Sequence, residues 1–213
     1  QPSGCSMKRS SIILFAFIFQ YLLVNGQPQK LIGNESVTGV CYAGTKTNRI
    51  YIPPPREFTK ERNKSGGTIK VYYYGFSDKE IVPFDYAVRI LESLLPPGTK
   101  TTVVANWTKI QTTGVLGNSS VTGFIFGGAI DALKPFAFYP VSLAEKIYGR
   151  SLNTDLSGDI IMNVSNSANW YLGTDGQVPA GQYDLVTVVL HELCHGLGFF
   201  NSMNADDKTG WYG

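Results

Sequence analysis

Residues 184–198 read DLVTVVLHELCHGLG, and they dictate more about the fold than any other stretch of the chain. Asp184 is a good N-cap, because its short carboxylate can accept from the unpaired amides of a helical first turn. The residues that follow are apolar around most of the helical circumference, and a helix that is apolar on all sides is a buried one. This helix therefore needs other layers to cover it. It also carries His191, Glu192 and His195 into that interior, where polar groups are costly unless they are paired with something.

His191 and His195 are the two histidines of the chain. One helical turn apart, they project from one face and can reach a single metal ion. Glu192 stands about 100° round from His191, beside the metal rather than on it. From there it can take a proton from a metal-activated water and pass it to a leaving group. Zinc is the expected ion, since imidazole suits it and it brings the pKa of water toward neutrality. A peptide or ester carbonyl is the natural target. Two histidines fall four apart by chance on the order of one time in a hundred, and a Glu in second place makes coincidence rarer. Cys194 lies about 80° from the midpoint of the histidine pair and is assigned a structural role.

Catalytic zinc takes three protein ligands and leaves one position open. After His195 the sequence GLG ends the helix, and Gly198 can turn the chain back toward the metal. Asn201 stands six residues past His195. The run HELCHGLGFFN matches the metzincin pattern His-Glu-x-x-His-x-x-Gly-x-x-(His or Asp) at every fixed place except the last, which is Asn201. GDIIMNVSNSANWYLGTDGQVPAGQYD resembles the edge strand and loop that lead into the active-site helix of matrixin-like metzincins. VCYAGT, YIPPPREF, YPVSLAEK, NWYLGTDG and YDLVTVVLHELCHGLGF resemble a group of secreted, largely uncharacterised bacterial proteins with a zincin motif. This resemblance implies a zincin-type fold and a zinc peptidase, with His191 and His195 as ligands and Glu192 as general base. For the third ligand three explanations stay open: Asn201 binding weakly or through water, replacement by Asp206 or Asp207, or a ligand beyond Gly213. The Met-turn of metzincins has no counterpart, as Met203 comes too soon, so the chain is expected to be C-terminally incomplete.

The remaining sequence frames this site. With 213 residues one main domain is expected, and the abundance of Gly, Tyr and Phe with only 16% charged residues favours sheets and long ordered loops over helical bundles. Residues 1–26 form a leader: Lys8 and Arg9 precede an apolar run from Ile12 to Val24, the pattern of a signal peptide with its start at Met7. The run is short for a membrane span, so secretion is expected, with no stable membrane insertion after cleavage near Gly26 or Gln27. The zincin-like catalytic domain is then 27–213. Loss of the leader takes the 18 basic side chains to 16, against 16 acidic ones. That balance, without a basic run, argues against a nucleic-acid partner. Cys41 and Cys194 remain, and in an exported protein they either pair or stay as separate buried thiols.

From residue 27 to 57 the chain reads as a turn-rich arm. TIKVYYYGF is a strand, DYAVRILESLL an amphipathic helix and KTTVVANWTKI a second strand, an order that predicts a parallel pair. Residues 111–150 read as loops with one short helix in VSLAEKIYG. GDIIMNVS is a third strand, expected as the edge on which an extended substrate pairs. Tyr72, Tyr73 and Tyr74 are read as strand packing, while Trp170 and Tyr171 either line a cleft or anchor their loop. Sequons occur at Asn34, Asn106 and Asn118 among others. The expected class is α+β of zincin type: a twisted mixed sheet, a packed helix and a buried active-site helix. The expected function is that of a secreted zinc metalloendopeptidase acting on protein or peptide. The alternatives are an exported binding or adhesion module with a degraded metal site, and a zinc hydrolase of a non-peptide substrate.

Overall fold

The computed structural model describes residues 30–31, 38–44, 52–55, 58, 67–129, 133–152, 158–200, 203–205 and 210–212. The leader, the sequon at Asn34, and Asn201, Asp206 and Asp207 lie outside the described residues. The elements run β1 (Lys30–Leu31), β2 (Thr38–Tyr42), β3 (Thr68–Tyr74), α1 (Asp78–Leu94), β4 (Lys100–Thr108), β5 (Val115–Val121), β6 (Phe124–Phe126) and β7 (Phe138–Pro140). They continue with α2 (Val141–Tyr148), β8 (Ile160–Ser165), β9 (Trp170–Tyr171), β10 (Tyr183–Asp184), α3 (Leu185–Gly196), β11 (Met203–Ala205) and β12 (Gly210–Tyr212). The architecture is α+β, with a twisted mixed sheet and three helices among the described residues. No helix among them is long and apolar enough to cross a membrane.

The expected strand–helix–strand unit is present, and β3 pairs parallel with β4 from Thr68↔Lys100 to Tyr74↔Asn106. Its helix starts earlier than the apolar periodicity indicates, because Ser77 and Glu80 form a capping box in which the Ser77 amide donates to the Glu80 carboxylate at 2.9 Å. α1 buries Phe84, Ala87, Val88, Ile90 and Leu91 on one face. It also buries Glu92, whose Oε1 accepts the Ile69 amide at 2.7 Å and so ties the helix to the start of β3. Leu95 caps the helix in an extended conformation just before Pro96 and Pro97.

Five strands form the main sheet in the order β2-β5-β8-β4-β3. β3, β4 and β8 run parallel, while β5 runs antiparallel to both β8 and β2. Two expectations are corrected here. GDIIMNVS is the central strand, paired on both edges by β4 and β5, so no substrate can add to it. Residues 111–150 hold β5, β6 and β7 besides the expected short helix; β5, read as loop because VLGNSSV lacks an alternating apolar pattern, is held instead by pairing on both sides.

One face of the sheet is covered by α1 and α3. Between them lie Ile69, Val103, Ala105, Ile160, Met162 and Val164 from the strands with Leu185, Val189 and Leu193 from α3, all at most 2% exposed. α3 approaches β8 closely because residue 196 is Gly: a Cβ there would stand 2.5 Å from Ile160 Cγ2. On the other face, Asn106, Asn163 and Asn118 sit in register across β4, β8 and β5. Asn106 donates to Asn163 at 3.1 Å and Asn163 to Asn118 at 2.8 Å. Tyr73 packs edge-on against Phe84 in the core as read, whereas Tyr74 is exposed. Trp170 acts as an anchor: it packs on Trp107 and donates from its indole to the Ser165 carbonyl at 2.7 Å.

Candidate metal centre

α3 begins as its sequence predicts, with the Asp184 carboxylate accepting the Thr187 amide at 3.1 Å. Its register is pinned by two hydroxyls from outside the helix. Ser119 on β5 donates to the Glu192 carbonyl at 2.6 Å, and Ser142 on α2 donates to the Gly196 carbonyl at 3.0 Å. Both serines are 1% exposed, so these bonds run through dry interior. At the C-terminal end Gly198 takes φ +103 and redirects the chain, as the sequence predicts.

The pinned helix places the two imidazoles ring edge to ring face, with Nε2 of His191 and Nε2 of His195 only 2.9 Å apart. The His195 Nδ1 lies 2.7 Å from the Phe199 carbonyl. A carbonyl can only accept, so Nδ1 carries the proton and Nε2 presents its lone pair, accepting from His191 Nε2 here and able to ligate a metal in its place, the arrangement usual for metal-bound histidine. Partial burial, and then the neighbouring His195, hold the His191 pKa below its usual value, which favours the neutral, ligating form.

Glu192 is 0% exposed, and neither carboxylate oxygen has a hydrogen-bond partner. Burial pushes its pKa from 4.5 up to about 7; the Ser119 hydroxyl, which is given to the Glu192 carbonyl, and the Cys41 amide stand close enough to offset part of this without bonding the carboxylate. An orphaned carboxyl in the core is costly, and a bound cation would repay that cost. Two facing imidazoles beside such a carboxyl fit a borderline-soft divalent ion: on zinc the two Nε2 atoms would stand about 3.3 Å apart, a few tenths wider than here.

A residue the motif does not contain also reaches this place. Ligand atoms of Cys41, His191 and Glu192 lie within 4.8 Å of one another. Cys41 and Cys194 are both free thiols, so the disulfide alternative is excluded in this structure. Burial, then the Glu192 charge, raises the Cys41 thiol pKa; burial alone raises that of Cys194. Asn201, the third ligand expected from the motif, lies outside the described residues, as do Asp206 and Asp207. Met203 belongs to β11, which pairs with β12. No local signal announces Cys41, because only the pairing of β2 with β5 carries it to α3.

The profile of a family described as SPBPB7E8-like matches residues 138–209, a stretch that includes α2, β8 and the whole of α3. No curated protein and no solved structure matches the chain.

Proposed function

We propose that this chain is a secreted zinc-dependent peptidase of zincin type. The observation that carries the reading is the pair of imidazole nitrogens 2.9 Å apart beside a fully buried carboxyl without a partner. His191 and His195 would hold the ion. When bound, zinc would polarise a carbonyl and bring the pKa of water toward neutrality. The chain's own residues supply the rest. Nδ1–H of His195, given to the Phe199 carbonyl, keeps Nε2 in its ligating form. Glu192, with a pKa near neutral, can accept a proton from water and return it to a leaving amine. Ser119 and Ser142, by gripping backbone carbonyls of α3, hold all three side chains in place during both transfers. Peptide is favoured over other carbonyl substrates by the resemblance of HELCHGLGF to zincin peptidase motifs, and secretion by the signal-like residues 7–26.

The test is metal analysis of the purified protein beside a Glu192→Ala variant, with cleavage of an unfolded protein as substrate. Zinc near one per chain with cleavage lost in the variant is the expected result. A folded protein that binds no zinc, or cleavage that survives Glu192→Ala, would overturn the reading. The complete burial of Glu192 specifically favours a second reading, a non-catalytic exported module that retains the metal. It predicts bound zinc with no cleavage of any unfolded substrate.

A further inference from the structure

β2 lies along the sheet edge next to α3, and its alternation decides what it presents there. Thr38, Val40 and Tyr42 are exposed, while Gly39 is buried and Cys41 half-buried, so Gly39 and Cys41 share the face turned toward the helix. Both contacts are close. A Cβ at Gly39 would stand 2.2 Å from His195 Cγ, so the strand backbone rests directly on that imidazole. Cys41 is paired with Gly117 of β5, and a Cβ on Gly117 would stand 3.4 Å from Glu192 Cγ. The register shifts between Cys41 and Tyr42, an irregularity of the kind that re-aims a side chain.

We infer that the Cys41 thiolate is a third protein ligand of the metal held by His191 and His195, giving a His₂Cys donor set delivered by an edge strand. The inference rests on the metal-site reading above. Two observations carry it. Cys41 stands with His191 and Glu192 in a group whose ligand atoms lie within 4.8 Å, the Glu192 carboxylate in it being orphaned. His191, the member common to both pairs, brings in His195 with Nε2 2.9 Å from its own, so that an ion would draw Cys41 and His195 together across His191. Thiolate and imidazole together are a donor set zinc accepts, and three protein ligands are what an open zinc site takes. Cys194 is a poor substitute, because it neighbours His195 on the helix and points from a different face. Ligation breaks the Cys41 S–H bond, forms an S–metal bond from that electron pair, and releases the proton to solvent. The metal then staples β2 to α3, so strand and site stand or fall together.

The test loads the full chain with Co²⁺ and reads the thiolate-to-cobalt charge-transfer absorption in the near ultraviolet. The parent and Cys194→Ser should show the band, and Cys41→Ser should lose about nine tenths or more of it. A parent that binds Co²⁺ one per chain without the band overturns the assignment while leaving the histidine site intact. So does a band that survives Cys41→Ser. A folded parent that binds no Co²⁺ overturns the metal site and this ligand together. Should Cys41→Ser fail to fold, Cys194→Ser decides: a band kept in that variant supports Cys41, and a band lost in it overturns the assignment. With Zn²⁺ bound, Cys41 should react with iodoacetamide at least about tenfold more slowly than after chelation, and equal rates overturn the assignment.

Discussion

Replacing Gly39 by Ala tests whether β2 truly rests on α3. The added Cβ would lie 2.2, 2.3 and 2.7 Å from Cγ, Cδ2 and Cβ of His195. Non-bonded carbons need about 3.5 Å, so roughly 1.3 Å must be found by one partner. His195 is poorly placed to give way, because its ring is fixed by the Phe199 carbonyl on one side and by His191 on the other. α3 is anchored by Leu185, Val189 and Leu193, all 0% exposed. β2 is a five-residue strand at the end of the sheet order and pairs only with β5 in that sheet. The strand should therefore lift, losing ladder bonds around residue 39. Overpacking of this kind costs about 1–3 kcal/mol. For a domain of this size that lowers Tm by roughly 3–10 °C. The assay is thermal unfolding of the metal-free protein, with amide hydrogen exchange of residues 38–42. Exchange there should speed up while α3 stays protected. A variant with unchanged Tm and unchanged exchange would refute the packing of β2 on His195.

Glu192→Gln should stabilise the metal-free protein in a pH-dependent way. The folded carboxyl has a pKa raised to about 7, so folding is penalised once the unfolded carboxyl ionises near 4.5, and the penalty is complete above pH 7. The variant should match the parent at pH 4 and exceed it by about 3 kcal/mol at pH 8, read from denaturant midpoints; parallel pH curves would contradict this. Gly196→Ala should cost about 1–3 kcal/mol, because its Cβ meets Ile160 at 2.5 Å and Ile160 is 0% exposed. Urea unfolding of that variant checks it, and a neutral result would mean α3 does not pack on β8 as described. Asn163→Ala breaks both links of the amide ladder and leaves Asn106 and Asn118 without their bonds to it, at about 1–2 kcal/mol by the same measurement.

Elements whose signal is local were legible. Asp184 as N-cap, the apolar circumference of α3 and the β3–α1–β4 order each depend on neighbours within a few residues, and each is present as read. Elements that depend on pairing partners were not. VLGNSSV shows no alternating apolar pattern, yet Gly117 and Ser119 suit the helix-facing side, one because a Cβ there would crowd the Asn163 carbonyl at 3.2 Å while touching Val188 and Glu192, and the other to hold the Glu192 carbonyl. Small and polar residues there read as loop until the helix above them is known. GDIIMNVS was placed at an edge by its resemblance to the edge strand of matrixin-like metzincins, and pairing with β4 and β5 overrides that expectation. Its own pattern does not correct it, since exposed Ile161 and half-buried Asn163 reflect an open sheet face and would look the same at an open edge.

The site divides along the same line. His191, Glu192 and His195 were visible because a helix turn fixes their relation, and the structure brings the two imidazoles into contact. The completing donor was sought downstream, where the motif expects it at Asn201. The spatial neighbour is upstream: Cys41 was weighed as a disulfide partner for Cys194 or as a separate buried thiol, never as a ligand, and both cysteines are free thiols. The logic of spacing fails here because β2 reaches α3 through β5, and the register of an antiparallel pair far apart in sequence is set by both strands at once. Slip that register by one residue and Cys41 turns to solvent while Val40 turns toward the helix. Gly39 guards against the slip, since among residues 38–42 it alone lacks the side chain that His195 would exclude. The glycine and the cysteine are thus one device: the first fixes the register that lets the second face α3 and its histidine pair.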